Sequence, residues 1–235
     1  MKKPRTVAIV QARMNSTRLP GKVIMHISGR PLLSYLVDRI SKASALNAIV
    51  VATTTNEGDN VIIEECERLG IANFRGSELD VLSRYVSAAT ACDADIIVRV
   101  TADNPFTDPD SIDRVVKAVA QDGADYAIEA NLPVGVTAEA LNRKALMLMD
   151  SAANTAAWRE HVTLYAKENP QALRCAFLPA RPECSRPDLS FTVDTLDQYL
   201  YVRAIATELP SSHFQLKNLI AVADAADVRS RTLAI

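Results

Sequence analysis

Arg13, Ser16, Thr17, Arg18, Gly21 and Lys22 fall within ten positions of the run Gln11-Ala-Arg-Met-Asn-Ser-Thr-Arg-Leu-Pro-Gly-Lys22. A loop so dense in donors suits a polyanion, a nucleoside triphosphate above all, held by side-chain cations together with backbone N–H groups. The alternative is a solvated basic loop. Neither of the familiar glycine-rich phosphate loops is present. Gly21-Lys22 lacks an earlier glycine at the P-loop spacing and is followed by Val23 instead of Ser or Thr. No Gly-x-Gly opens a dinucleotide fold there.

Two aspartates lie where such a loop needs them. Asp103 follows the apolar run Asp95-Ile-Ile-Val-Arg-Val100 by three residues, and Asp194 follows Phe191-Thr-Val193. Carboxylates at strand ends can hold Mg²⁺, with phosphates and waters completing the shell. Each has a plainer reading: an Asx turn before Pro105 for Asp103, a turn or cap for Asp194. Asp108 reads as the N-cap of the helix opened by Pro109. His161, one of three histidines, reads on its own as a packed or capping helix residue.

The elements that must position these groups alternate strand and helix. Val7–Val10, Ala48–Ala52 and Asp95–Val100 read as buried strands. Pro31 begins a helix with Leu32, Leu33, Leu36, Val37 and Ile40 on one face. Asp59 is expected to cap a helix carrying Ile62, Cys66 and Leu69, stopped by Gly70. Ser77-Glu-Leu-Asp80 resembles a capping box before Val81, Leu82 and Tyr85. Such alternation predicts parallel βαβ units covered on both faces. Ligands then bind beyond the strands' carboxyl ends, which brings loops 11–22, 53–60 and 101–108 together. The second half is less regular. Strands are expected at 125–129, 136–141, 173–178 and 189–193, helices at 142–152 and 155–168, and a Thr195–Gln198 capping box before two closing helices. No linker divides the chain, so one domain over 1–235 is expected, with a smaller lobe inserted at about 130–188.

Composition narrows the class. The chain has 235 residues, 49% of them apolar, and a net charge of −2. That supports a sizeable core and gives no global basic field for nucleic acid. No run approaches a membrane span, and the apolar stretch near the start is too short for a signal peptide. Cys66, Cys92, Cys175 and Cys184 have no zinc or redox spacing and read as reduced thiols of a cytoplasmic protein.

The 11–22 run resembles the signature loop of the cytidylyltransferase family, which includes CMP-Kdo synthetase, CMP-sialic acid synthetase and a spore-coat polysaccharide branch. The last is the most similar. The resemblance continues through Gly29-Arg-Pro-Leu32, Gly76–Arg84, Arg99-Val-Thr-Ala-Asp-Asn-Pro105, Arg159-Glu-His-Val-Thr163 and Thr192-Val-Asp-Thr195. It implies a Rossmann-like, GT-A-like three-layer α/β nucleotidyltransferase sheet with the inserted lobe serving the acceptor and a homodimer contact. It implies transfer of CMP from CTP to an oxygen of a small anionic acceptor, an acidic sugar or a phosphonate, with release of pyrophosphate. Carried over by motif, Arg13 and Lys22 bind the triphosphate with Ser16 and Arg18. Gln11, Ala12, Thr53, Arg75 and Thr101 complete the nucleotide site. Asp103 and Asp194 hold Mg²⁺. Gly135, Glu139, Arg159 and His161 line the acceptor pocket, and Lys144, Arg159 and Arg174 are candidate counter-charges for an anionic acceptor. CMP-Kdo synthetases carry a Gln two places before the metal Asp and an acid after it. This chain has Thr101 and Asn104, so its acceptor and base contacts are not inherited from that branch. Two other readings share the sequence features: a nucleotide-sugar glycosyltransferase, whose usual Asp-x-Asp is missing here, and a non-catalytic nucleotide-binding protein.

Overall fold

Alternating residues of the first strand, β1 (Thr6–Gln11), face opposite layers: Ala8 and Val10 pack in one hydrophobic cluster, Val7 and Ile9 in another. A strand buried on both faces sits at the centre of a covered sheet. The computed structural model describes residues 3–233, with side chains to residue 226. In chain order the elements are β1, a two-residue hairpin of β2 (His26–Ile27) and β3 (Arg30–Pro31), α1 (Leu32–Ile40), β4 (Ala48–Thr54), α2 (Asn60–Leu69), β5 (Ala72–Gly76), α3 (Val81–Ala91), β6 (Ile96–Thr101) and α4 (Pro109–Ala120). Then come β7 (Tyr126–Ala130), β8 (Glu139–Asn142), α5 (Arg143–Ala152), α6 (Ala156–Glu160), α7 (Leu164–Glu168), β9 (Cys175–Pro179), α8 (Leu196–Glu208) and α9 (Leu216–Leu233).

The main sheet has seven strands in the order β5-β4-β1-β6-β8-β7-β9. All neighbours pair parallel except β8, which is antiparallel to both β6 and β7. One layer, with α1, α2 and α4, buries Leu36, Ile40, Ile62, Val115 and Val119 against it. The opposite layer, with α3 and α5, buries Leu82, Tyr85, Leu146 and Met149. The expected three-layer α/β fold is thus present. A third cluster joins Ile27, Phe106, Phe191 and Val193 to Val202, Ile205 and Leu219 of the closing helices.

The second half departs from expectation in instructive ways. The strand expected at 136–141 forms only from Glu139, ends at Asn142, and inserts into the main sheet between β6 and β7. Segment 130–188 thus contributes β8 and β9 to the sheet, while α5 and α6 lie against α3. The 155–168 helix is two short ones, broken at 161–163, where Thr163 turns its hydroxyl to buried Glu139. The 189–193 run is extended but not a strand: a single bridge joins Ser190 to Val134. Gly135 explains the closeness. Its φ is +88°, and a Cβ there would lie 2.7 Å from the Thr192 nitrogen. The α3 cap is Asp80, which accepts from the Ser83 N–H; the Ser77 hydroxyl accepts from the Asp80 N–H instead of capping the helix.

Candidate active site

Loops following β1, β4 and β6 meet at one edge of the sheet because those strands run parallel. One cross-bond draws a distant segment of the chain onto them, and a local bond fixes it there. The Val193 N–H donates to the Asp103 carbonyl at 2.9 Å, and the Asp194 N–H is held by Gln198 Oε1 at 2.8 Å. The Thr195–Gln198 capping box therefore both starts α8 and fixes Asp194.

Lys22 is the pin of the site. Its Nζ donates to Asp103 Oδ2 at 2.9 Å, Asp194 Oδ1 at 2.9 Å and the Val193 carbonyl at 2.7 Å. The side chain is 7% exposed, and these three oxygens take up all its N–H donors. Gly21, at φ +73°, makes the left-handed turn that delivers it. Both carboxylates thus converge on one point, 172 residues from Lys22 in the case of Asp194. Arg18 also reaches Asp194, at 2.8 Å, from an exposed position; a rim pair of this kind adds little stability.

The loop itself is anchored by Asp59. Its buried carboxylate accepts from the Met14 N–H at 2.8 Å, Thr53 Oγ1 at 2.9 Å, the Thr54 N–H at 3.1 Å and Thr54 Oγ1 at 2.5 Å. Burial works against its charge, yet these bonds outweigh burial and hold its pKa below the ordinary carboxylate range. The expected side-chain cap of α2 is therefore absent, because Asp59 is turned inward to bind the loop.

A cleft of about 420 Å³ opens over this edge. Of the nucleotide, metal and acceptor-pocket residues expected from sequence, Gln11, Ala12, Arg13, Ser16, Arg18, Lys22, Thr101, Asp103, His161 and Asp194 line it, as does Thr17. The others do not. Thr53 is bonded to Asp59. Arg75 holds the Thr54 and Asn56 carbonyls and Asn60. Gly135 abuts Thr192. Arg159 is engaged by Asp150 and Asp80. Glu139 is buried behind the wall, where Arg99, Lys167, Tyr126 and Thr163 all reach it. Burial opposes the Glu139 charge, but Arg99 and Lys167 prevail and lower its pKa to about 2. Of the other counter-charge candidates, Lys144 is exposed and outside the cleft lining, and Arg174 is bound to Asp125.

Two cleft arginines escaped the sequence reading: Arg84 on α3 and Arg99 on β6. Both carried a signal. Arg99 interrupts the apolar run of a central strand, and Arg84 shares the inward face of α3 with Val81 and Ala88. A cation placed inward needs a partner.

The two carboxylates fit a Mg²⁺ ion. Magnesium is usually bound by one or two carboxylates, with waters and phosphates filling the remaining positions. No cluster of three or more His, Cys, Asp or Glu ligands occurs among the described residues, so the donor set here suits a metal shared with phosphates.

A cytidylyltransferase family model matches residues 7–217. The spore coat polysaccharide biosynthesis protein SpsF of Bacillus subtilis is 37% identical over 204 residues, covering 84% of each chain. An uncharacterized Methanocaldococcus jannaschii protein, MJ1063, is 36% identical over 216 residues, covering 92% of this chain and 86% of its own. Among solved structures, a cytidylyltransferase of Leptospira borgpetersenii superposes with a TM-score of 0.90 at 27% identity over 96% of both chains. CMP:2-keto-3-deoxy-manno-octonic acid synthetase complexed with CTP shares the fold, with a TM-score of 0.66 at 18% identity over 87% of this chain and all of the other. The match runs from β1 into α9 and takes in the pinned aspartates as well as the loop that pins them: the chain belongs to the cytidylyltransferase family.

Proposed function

We propose that this enzyme joins CMP from CTP to an oxygen of a small anionic acceptor, an acidic sugar or a phosphonate, and releases pyrophosphate, with Mg²⁺ held by Asp103 and Asp194. The observation that carries the reading is the convergence of both aspartates on the Lys22 ammonium at the mouth of a cleft lined by Arg13 and Arg18. Arg13, Ser16 and Arg18, with Lys22, bind the triphosphate and offset the charge that builds on departing pyrophosphate. Mg²⁺, when bound, supplies Lewis-acid polarisation of the phosphoryl oxygens. Lys22 exchanges part of its hold on the carboxylates for the phosphates. Asp59 keeps the loop in place throughout, since its bonds lie behind the loop and outside the cleft lining. An acceptor carboxylate or phosphonate oxygen is already an anion and needs no strong base. A homodimer belongs to this reading; the edge strand β9, with Phe177 half exposed, is the surface that supports it.

A pyrophosphate-release screen tests the proposal: four nucleoside triphosphates against acidic sugars and small phosphonates, with mass spectrometry of the products. A CMP adduct formed only from CTP and an anionic acceptor is expected. Hydrolysis or transfer from a nucleotide sugar, with no pyrophosphate from any pair, would place the protein with the glycosyltransferases instead.

A further inference from the structure

Arg84 is 2% exposed, yet no carboxylate pairs with it among the described residues. Its Nη1 donates to the Ser77 carbonyl, its Nε is buried without a partner, and its Nη2 bonds to no described residue. Arg99 repeats the pattern. Its Nη1 donates to Glu139 Oε2 at 2.7 Å, its Nε is likewise buried without a partner, and its Nη2 has none among the described residues. In both arginines the same edge, Nε with Nη2, is left over. That edge is the planar fork that takes a carboxylate or phosphate through two parallel bonds. Both side chains line the one cleft.

The charges point the same way. Among the described residues no carboxylate pairs directly with Arg84, which feels Asp59 and Glu78 only through space, and the one that pairs with Arg99, Glu139, is shared with Lys167. A buried cation left without an anion is costly, so the folded chain is incomplete here without a ligand. Placement sets these arginines apart from Arg18 and Lys22, while Arg13 of the same loop lies within electrostatic reach of Arg84. Arg18 and Lys22 cluster on Asp103 and Asp194. Arg99 sits deeper on β6, four residues before Asp103, and is tied to β8 and α7 through Glu139. Arg84 lies on α3, against which α6 packs, one residue short of His161.

We infer that Arg84 and Arg99 form an anion subsite that grips a carboxylate or phosphonate group of the acceptor, distinct from the oxygen that receives CMP. This rests on the proposed cytidylyl transfer and extends it: the acceptor carries two polar functions, one held deep and one presented at the aspartates. Arg159, expected in that role, is occupied by Asp150 and Asp80.

The test uses methylphosphonate as the probe, followed by ³¹P NMR on the whole chain in the presence of saturating α,β-methylene-CTP, which occupies the nucleotide site without reacting. Methylphosphonate is expected to bind alongside the analogue. Arg84→Met is expected to weaken it at least tenfold. Arg84→Lys, which keeps the charge and the fold but removes the fork, is expected to weaken it at least fivefold, with the affinity for the analogue changed less than twofold in both. Displacement of methylphosphonate by the analogue would assign the two arginines to the nucleotide's phosphates and overturn the inference, as would unchanged binding by Arg84→Lys. If the analogue itself fails to bind, the transfer reading falls. Methylphosphonate binding to the protein alone, lost in both variants, would then still uphold the subsite, and its absence would end it.

Discussion

Asp59→Asn isolates what holds the 11–22 loop in place. Asp59 Oδ2 accepts three bonds from Thr53 and Thr54, while Oδ1 accepts only from the Met14 N–H. The amide of the variant will keep its oxygen toward the three donors, so its NH₂ must face the Met14 N–H, donor against donor. Losing one hydrogen bond to a charged acceptor costs about 1.5–3 kcal/mol. The other three weaken as the acceptor becomes neutral, which brings the expected loss to roughly 3 kcal/mol. In a chain of this size 1 kcal/mol shifts Tm by about 2–4 °C, so a fall of roughly 6–12 °C is expected. The lifted loop should also bind CTP at least about tenfold more weakly, equivalent to ~1.4 kcal/mol, as read by calorimetry. The sign of the pH effect gives a second check. The folded pKa of Asp59 is depressed, so its contribution is full above the ordinary carboxylate range and is lost as pH falls through the folded value. Wild type and variant should therefore differ equally from pH 6 to 8 and converge in acid. CTP affinity within twofold of wild type, despite the lowered Tm, would refute Asp59 as the anchor of the loop.

Two further perturbations probe the wall behind the cleft and the segment that carries Asp194. The Glu139 pKa is lowered from 4.5 to about 2, a stabilisation of about 3 kcal/mol that is complete above the unfolded pKa and lost as pH falls from there through the folded value. Glu139→Gln should flatten the acid limb of stability against pH in urea titrations; an unchanged limb would remove Glu139 as its cause. Gly135→Ala puts a Cβ 2.7 Å from the Thr192 nitrogen and 2.9 Å from the Phe191 carbonyl carbon, at φ +88°. It should cost about 2–4 kcal/mol in thermal melts and displace Asp194, two residues on, enough to lower turnover. Unaltered stability would mean that the 189–193 segment yields freely.

Much of this arrangement was legible in the chain because it is written locally. The runs at β1, β4 and β6 are apolar, short and bounded by turn residues, and burial on both faces leaves them no other role. Gly70 ends α2 in the left-handed conformation expected of it, and Asp108 caps α4 as its spacing before Ser111 implies. What escaped is set by distant partners. The insertion of Glu139–Asn142 beside β6 depends on antiparallel pairing of Ile96 with Asn142 and Arg99 with Glu139, partners far apart in the chain that no local pattern encodes. The break at 161–163 follows from the demand of buried Glu139 for the Thr163 hydroxyl. Asp59 has the composition and position of a cap, and only the fold shows that Met14 competes for it and wins. Among site residues, the loop and the two aspartates could be placed because strand ends gather ligands. Arg84 and Arg99 are not marked in the same way, because a cation within an apolar helix face or strand does not reveal from sequence that a cleft lies beside it.

In the proposed reaction Asp103 and Asp194, converged on Lys22, form the metal-binding half of a CMP-transfer site. Pyrophosphate release by Asp103→Asn, under saturating CTP and Mg²⁺ with an acceptor that the wild-type enzyme turns over, tests it most directly. The account predicts a loss of at least about 100-fold, a few kcal/mol of transition-state stabilisation, in a protein that still binds CTP. Near-normal turnover by that variant would contradict it.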